Sequence, residues 1–254
     1  MERLGNSRPS GLNTGSLRTW GMLFAIAGIV SRCVLQNTLL GVGTRSMQEL
    51  MELMQADQTA MIITTVSLVL QAMETVAVPI FVFLLFEGFQ HTSDWKKYLA
   101  RLVGLALLTE IPYDLAMNGK VLEFGTQNPV IGLVLCFALL LLFRRFAGKK
   151  LICVMMALAG FVWALMLKVD HGIPMLLMIC VMQLFRNKKM YMGFSGMAAA
   201  ALCTGISPFY LVAPMGFLAI HFYNGEKGNS SRLVNYLFYP VALLVMALVA
   251  KFAF

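Results

Sequence analysis

The chain has 254 residues, of which 59% are hydrophobic and 13% are charged, and its net charge is +8 at pH 7. Soluble domains average about 25% charged residues, so this composition excludes an ordinary soluble fold and predicts a multi-pass protein of the inner membrane. The positive charge does not indicate a nucleic-acid partner, because basic residues in short loops set the topology of membrane proteins.

The hydrophobic pattern predicts an all-α fold, a bundle of about nine membrane-spanning helices that each approach the roughly 20 residues needed to cross a hydrocarbon core. A polar tail, residues 1–17, comes first and contains no evident cleavable signal peptide. The single domain of residues 18–254 follows. The predicted spans are 18–41, 59–88, 97–118, 129–146, 151–168, 172–186, 190–205, 208–223 and 232–253. The sixth and seventh spans are short, so we expect them to be tilted, re-entrant or buried.

The distribution of lysine and arginine predicts the orientation of the bundle. If the loop 144–150 is cytoplasmic, alternation of the spans places the N-terminus and the loops 93–98, 186–189 and 224–232 on the same side. Most of the 20 basic residues then lie in the cytoplasm, as the positive-inside rule requires. The loop 42–58 on the opposite side is acidic. The sequence therefore predicts a cytoplasmic N-terminus.

Two charged residues lie near the middle of predicted spans, Arg32 in the first and Glu74 in the second. Each would cost roughly 2.5–3.5 kcal/mol if it faced hydrocarbon alone. Consecutive spans can pack antiparallel, so we predict that Arg32 and Glu74 form an ion pair. The pair either orients the two helices or contributes to a substrate cavity.

At the cytoplasmic end of the second span, Glu87 and His91 lie four residues apart and so share one helical face. A neutral histidine beside a glutamate can accept a proton at neutral pH. The alternative is an interfacial cap, in which Thr92, Ser93 or Asp94 begins the next helix.

The segment TEIPYDLA, residues 109–116, places Glu110 and Asp114 on one helical face near the outer end of the third span. Pro112 removes a backbone donor between them and is expected to bend the helix. Two such carboxylates can act as acid and base, bind a cation or accept hydrogen bonds from neighbouring helices. The spacing leaves these alternatives open.

Asp170 and His171 lie at the outer end of the fifth span, where they form either part of a site or a turn with an aspartate cap. Asn128 lies on the same outer side. Topology therefore predicts one outer vestibule, lined by Glu110, Asp114, Asn128, Asp170 and His171.

Several motifs are missing from the sequence. It contains no Walker A motif, which excludes a P-loop ATPase, and neither HExxH nor GxSxG. No metal-ligand spacing is present. We interpret His221 and Tyr223, at the inner end of the eighth span, as interfacial residues. We interpret the five cysteines as packing residues in apolar runs; they are Cys33, Cys136, Cys153, Cys180 and Cys203.

Five segments together resemble the TraX family of membrane proteins, in the family's order and over most of the chain beyond residue 80. They are FEGFQHTSDWKKYLARL (86–102), TEIPYDLA (109–116), QNPVIGLVL (127–135), DHGIPMLLMI (170–179) and FYNGEKGNSSRLVNYLFYP (222–240). The family's namesake acetylates the N-terminus of a conjugative pilin. The resemblance implies an acetyltransferase that takes an acyl group from cytoplasmic acetyl-CoA and delivers it to an envelope protein or glycan.

The sequence departs from the family pattern at the residues expected to be catalytic. Ser31–Arg32 stands where the family has an Asp–His pair in the first span, and Val241–Ala242 stands where a histidine usually follows Tyr239–Pro240. Either His91 or His171 has taken over as the base, or acyl transfer has been lost. The alternatives are a non-catalytic envelope scaffold or assembly factor and a small-molecule transporter.

These considerations give two sets of candidate residues. The candidate catalytic residues are His171, Asp170, Glu110, Asp114 and His91. The candidate substrate-binding residues are Arg32, Glu74, Glu87 and Asn128.

Overall fold

The computed structural model describes residues 11–228 and 232–252. Within these residues the chain is all-helical, as predicted. The helices are α1 Thr14–Ile29, α2 Met47–Ala56, α3 Gln58–His91, α4 Trp95–Asn118, α5 Pro129–Arg145, α6 Lys150–Met166, α7 Gly172–Leu184, α8 Lys189–Leu202, α9 Pro214–His221 and α10 Arg232–Phe252. Short 3-10 turns, Cys203–Gly205 and Pro208–Leu211, connect α8 to α9.

Each predicted span corresponds to one helical stretch whose ends differ from the prediction by a few residues. Two of the described stretches are long and apolar enough to cross a membrane, Thr14–Leu39 with 26 residues and Gln58–His91 with 34. Four shorter apolar helices are also present. One of them is the part of α10 from Tyr236 to Phe252. The number of crossings and the side on which the N-terminus lies remain predictions.

Two local features were not predicted. The first helix continues beyond α1 as a π-helix over Val30–Leu39, a conformation that usually appears as a single turn and often at functional sites. The loop predicted for 42–58 contains α2, which begins with a capping box in which Ser46 accepts from the Glu49 amide and Glu49 accepts from the Ser46 amide.

Helix α3 occupies the centre of the bundle and contacts α1, α5, α7 and α9. The main hydrophobic core lies where the buried face of α3 meets α5 and α7, around Ile80, Phe137 and Leu176. A smaller apolar cluster joins α1, α4 and α10, and it contains the buried side chain of Tyr113. This packing brings the middle of α3, the π-helix and the start of α7 together.

Two loops meet at one end of the bundle, which is the end predicted to face outward. The α4–α5 loop and the α6–α7 loop form a short parallel bridge, in which the Gln127 amide donates to the Lys168 carbonyl and the Asp170 amide donates to the Gln127 carbonyl. The main chain of Asp170 is therefore held by the loop that follows α4.

Candidate functional site

The guanidinium of Arg32 lies between two carboxylates that come from different elements. Its Nη2 donates to Glu74 Oε1 on α3, and its Nη1 donates to Asp170 Oδ2 at 2.6 Å in the α6–α7 loop. The predicted pairing of Arg32 with Glu74 is therefore confirmed. The second partner, Asp170, was predicted at the outer end of a distant span. Together the two carboxylates compensate a cation that would be costly to bury alone.

His171 directly follows Asp170 and adopts a left-handed backbone conformation with φ of +55° immediately before α7. Its Nδ1 lies 2.6 Å from the hydroxyl of Tyr210. Its Nε2 is buried and has no hydrogen-bond partner among the described residues. Nε2 lies 3.6 Å from Glu74 Oε1. The imidazole is thus fixed through one nitrogen while the other stays free.

These groups line a cavity of about 250 Å³. Its polar walls come from the π-helix, α3, the α6–α7 loop and the 3-10 segment before α9. The polar side chains that line it are Arg32, Gln71, Glu74, Thr75, Asp170, His171, Ser207 and Tyr210. The cavity is large enough for a small molecule.

Two tyrosines that sequence reasoning missed position the charged groups. The Tyr113 hydroxyl donates to Asp170 Oδ2 at 2.9 Å, and Tyr210 holds His171. Tyr113 is almost fully buried, and it lies within TEIPYDLA between the two acids that drew attention there. A tyrosine between two acids on an otherwise apolar helix was the available signal.

Two of the five residues predicted for the outer vestibule line this cavity. Asp170 and His171 line the cavity, but Glu110, Asp114 and Asn128 are not among the described residues that line it. These three instead organise the loop that follows α4. The physical reason is that Asp114 and Asn128 are turned into the protein, where each is fully buried.

Asn128 and the two acids of α4 form hydrogen bonds with main chain and with each other. Asn128 caps α5 by accepting from the Val130 amide, and its Nδ2 donates to Glu110 and to the Ala106 carbonyl. Asp114 accepts from the Glu123 amide at 2.8 Å. The same loop pairs with the main chain of Asp170. Glu110 and Asp114 therefore act on the cavity indirectly, through the α4–α5 loop.

Glu87 and His91 lie elsewhere, at the C-terminal end of α3. The imidazole of His91 is exposed and its Nδ1 contacts the Glu87 carbonyl at 2.9 Å. Asp94 caps α4 by accepting from the Lys97 amide, and this hydrogen bond lowers the pKa of the exposed Asp94 carboxyl. The arrangement matches the predicted interfacial cap, and it does not bring His91 to the cavity.

The remaining candidates take no part in the cavity. His221 is exposed at the end of α9, and its ring contacts Phe222. The hydroxyl of Tyr223 bonds to Thr14 at 3.0 Å. The five cysteines are free thiols, and Cys33, Cys136 and Cys203 are buried, as expected for packing residues.

Gly28 allows α1 to approach the carboxylate of Glu74, and this contact predicts a strong effect of substitution. A Cβ at position 28 would overlap Glu74 Cδ and Oε2. We expect Gly28→Ala to lower the free energy of unfolding by about 1–3 kcal/mol, because Glu74 must leave its position beside Arg32. Gly193→Ala on α8 is the matched control, since nothing lies within 4 Å of that Cβ. Denaturant titration of both variants tests this, and equal effects would contradict it.

The amino-acid sequence matches the model of one known protein family. Residues 50–250 match the family model described as TraX protein. The chain belongs to the TraX family. The comparison with curated proteins found no match, and neither did the comparison with solved structures.

Membership of the TraX family supports a TraX-like membrane protein, in agreement with the two long apolar helices. The matched region contains Glu74, Asp170, His171 and Tyr210, whereas Arg32 precedes it. The cavity therefore combines side chains from the TraX region with a guanidinium from the first helix.

Proposed function

We propose that this TraX protein transfers an acyl group from acyl-CoA to an acceptor, with His171 as the general base. The observation that carries the proposal is the free Nε2 of His171 in a cavity beside Glu74 and Asp170, with Nδ1 held by Tyr210. An imidazole fixed through one nitrogen and free at the other is suited to accept a proton from a bound acceptor.

The proposed reaction has two proton movements. Nε2 of His171 takes a proton from the amine or hydroxyl of the acceptor as that group attacks the thioester carbonyl. The bond from carbon to sulfur breaks, and the CoA thiolate leaves with the proton that the imidazolium returns. Arg32 balances the charges of Glu74 and Asp170, so that the imidazolium forms beside carboxylates already fixed in place.

We assign the donor as acetyl-CoA and the acceptor as an envelope protein or glycan. The choice of donor follows the resemblance to the TraX acetylase, and the cavity of about 250 Å³ has room for a short acyl chain. Glu110, Asp114 and Asn128, which the sequence suggested as catalytic or substrate-binding residues, receive a positioning role in this proposal. They position the α4–α5 loop, and the chemistry is assigned to His171 with Asp170.

The proposed topology places the chain in the bacterial cytoplasmic membrane with nine crossings and a cytoplasmic N-terminus. Basic pairs lie at three connections between helices: Lys96–Lys97 between α3 and α4, Arg144–Arg145 between α5 and α6, and Lys188–Lys189 between α7 and α8. If the helices alternate in direction across the membrane, these three connections lie on the same side. The cavity-forming α6–α7 loop then lies toward the outer side.

Cysteine labelling tests this topology in whole cells. In a background without the five native cysteines, Phe124→Cys in the exposed α4–α5 loop is expected to react with a membrane-impermeant maleimide in intact cells. Gly148→Cys in the α5–α6 loop is expected to react only after the cells are permeabilised. Labelling of Gly148→Cys in intact cells, with Phe124→Cys protected, would reverse the proposed orientation.

The activity itself is tested with purified protein in proteoliposomes and acetyl-CoA labelled in the acetyl group. We expect release of free CoA and transfer of label to an envelope fraction, both dependent on intact protein. Heat-denatured protein is the control. Absence of both acetyl-CoA binding and label transfer would overturn the proposal.

A non-catalytic scaffold is the second candidate, and one observation favours it. Arg32 already binds both carboxylates, as expected of a purely structural ion triad. A scaffold would co-purify with a stable envelope partner, and His171→Ala would leave both the partner and the cellular phenotype unchanged.

A further inference from the structure

Glu74, Asp170 and His171 together have the composition and spacing of a metal-ligand set, although the sequence shows no metal-ligand motif. One ligand atom from each side chain lies within 4.8 Å of the other two. Nε2 of His171 is 3.6 Å from Glu74 Oε1 and 3.7 Å from Asp170 Oδ1. Tetrahedral zinc with bonds of about 2.1 Å separates its ligand atoms by about 3.4 Å, so small side-chain shifts would complete this geometry.

The imidazole of His171 is prepared as a ligand. Metal-binding histidines usually bond through the other ring nitrogen to a second group, which fixes the tautomer and the ring plane. Tyr210 makes this contact at Nδ1, 2.6 Å away. Nε2 has no partner within the described part of the chain. The adjoining cavity would leave a coordination position open to a small molecule, as in catalytic zinc sites.

Arg32 supplies the positive charge that a metal would otherwise bring to this set. Its two terminal nitrogens bind Glu74 Oε1 and Asp170 Oδ2, so both acidic ligands are already engaged by one cation. A divalent ion placed beside this guanidinium would be repelled strongly in a poorly solvated interior. The guanidinium and a metal therefore exclude each other.

We propose that Glu74, Asp170 and His171 form a latent zinc-type site in which Arg32 takes the place of the metal. Removal of the guanidinium frees the two carboxylates, which together with His171 then bind Zn²⁺ or Co²⁺. This proposal uses only the geometry of the four side chains and stands whether or not the protein transfers acyl groups.

Cobalt titration of protein in lipid nanodiscs tests the proposal. We compare metal-free wild type, Arg32→Ala, Arg32→Ala/His171→Ala and Arg32→Lys by their visible Co²⁺ absorption, and then displace Co²⁺ with Zn²⁺. We expect Arg32→Ala to bind one Co²⁺ at least about 100-fold more tightly than wild type and than the double variant. Arg32→Lys should behave as wild type because it keeps a cation.

Two outcomes would overturn the proposal. One is equal binding by wild type and Arg32→Ala, which would show that the guanidinium does not exclude the metal. The other is undiminished binding by the double variant, which would place the metal elsewhere, for example on cysteines. If Arg32→Ala does not yield monodisperse protein, Arg32→Gln, alone and combined with His171→Ala, replaces it under the same criteria.

Discussion

Replacing Arg32 with alanine is expected to lower the free energy of unfolding by about 3–5 kcal/mol, the cost of breaking a buried ion pair from one side. The substitution leaves the carboxylates of Glu74 and Asp170 facing each other without a cation. Both side chains are largely buried, so water cannot compensate them as it does at a surface. Unfolding in detergent micelles, followed by circular dichroism, measures the change.

An exposed ion pair of the same chain is the matched control. Lys120 contacts Glu123 at 2.5 Å in the α4–α5 loop, and this hydrogen bond lowers the pKa of Glu123. The Lys120 side chain is 66% exposed, so Lys120→Ala should lower the free energy of unfolding far less than Arg32→Ala does. If Arg32→Ala costs as little as Lys120→Ala, the ion triad does not stabilise the fold. Under the latent-site proposal, added Zn²⁺ should restore part of the stability of Arg32→Ala, because a bound ligand stabilises the folded state.

Replacing His171 with alanine is expected to lower the rate of acyl transfer by about 100- to 10,000-fold, the range typical of a lost general base. The reason is that, in the described residues, His171 is the histidine whose free nitrogen lines the cavity. The rate of CoA release with labelled acetyl-CoA measures the loss. His91→Ala should retain activity, since His91 is 68% exposed at the far end of α3. The opposite ranking of the two variants would contradict the assignment.

Tyr210→Phe separates positioning from chemistry in the same assay. The phenyl ring keeps the packing of Tyr210 and removes the hydroxyl that lies 2.6 Å from His171 Nδ1. We expect a smaller decrease in rate than for His171→Ala, together with a changed pH profile. A structural role alone would leave the pH profile unchanged.

The helices could be predicted from the sequence because long apolar runs are a strong signal. The helix α2 was missed because it is short and amphipathic, although the Ser46–Glu49 capping box is a signal that sequence reasoning can use. The π-helix over Val30–Leu39 carries no comparable signature. Within it, Ser31 donates a hydrogen bond to the Ser67 carbonyl of α3, a residue that lies 36 positions along the chain.

The candidate site was predicted in part. The Arg32–Glu74 pair followed from the cost of burying a charge and from the adjacency of two spans. Asp170 could not be identified as the second partner, because it lies 138 residues from Arg32 and only the tertiary structure brings the π-helix and the α6–α7 loop together. Tyr210 was missed for the same reason.

The segment TEIPYDLA lies beside the cavity, but its two acids make their hydrogen bonds elsewhere. Its two acids lie close to the site, and Tyr113 between them contacts Asp170. Glu110 and Asp114 nevertheless bind Asn128 and the main chain of Glu123. Two acids on one helical face therefore identified a structured loop junction beside the cavity.

The central claim is that acyl transfer occurs at the cavity where Arg32, Glu74, Asp170 and His171 meet. A high-resolution structure with a non-hydrolysable acetyl-CoA analogue tests it most directly, through the distance from the acetyl carbonyl carbon to His171 Nε2. We expect a distance within about 6 Å, which leaves room for an acceptor atom between the two groups. An acetyl group bound outside the cavity, or Arg32 turned away from both carboxylates, would contradict it.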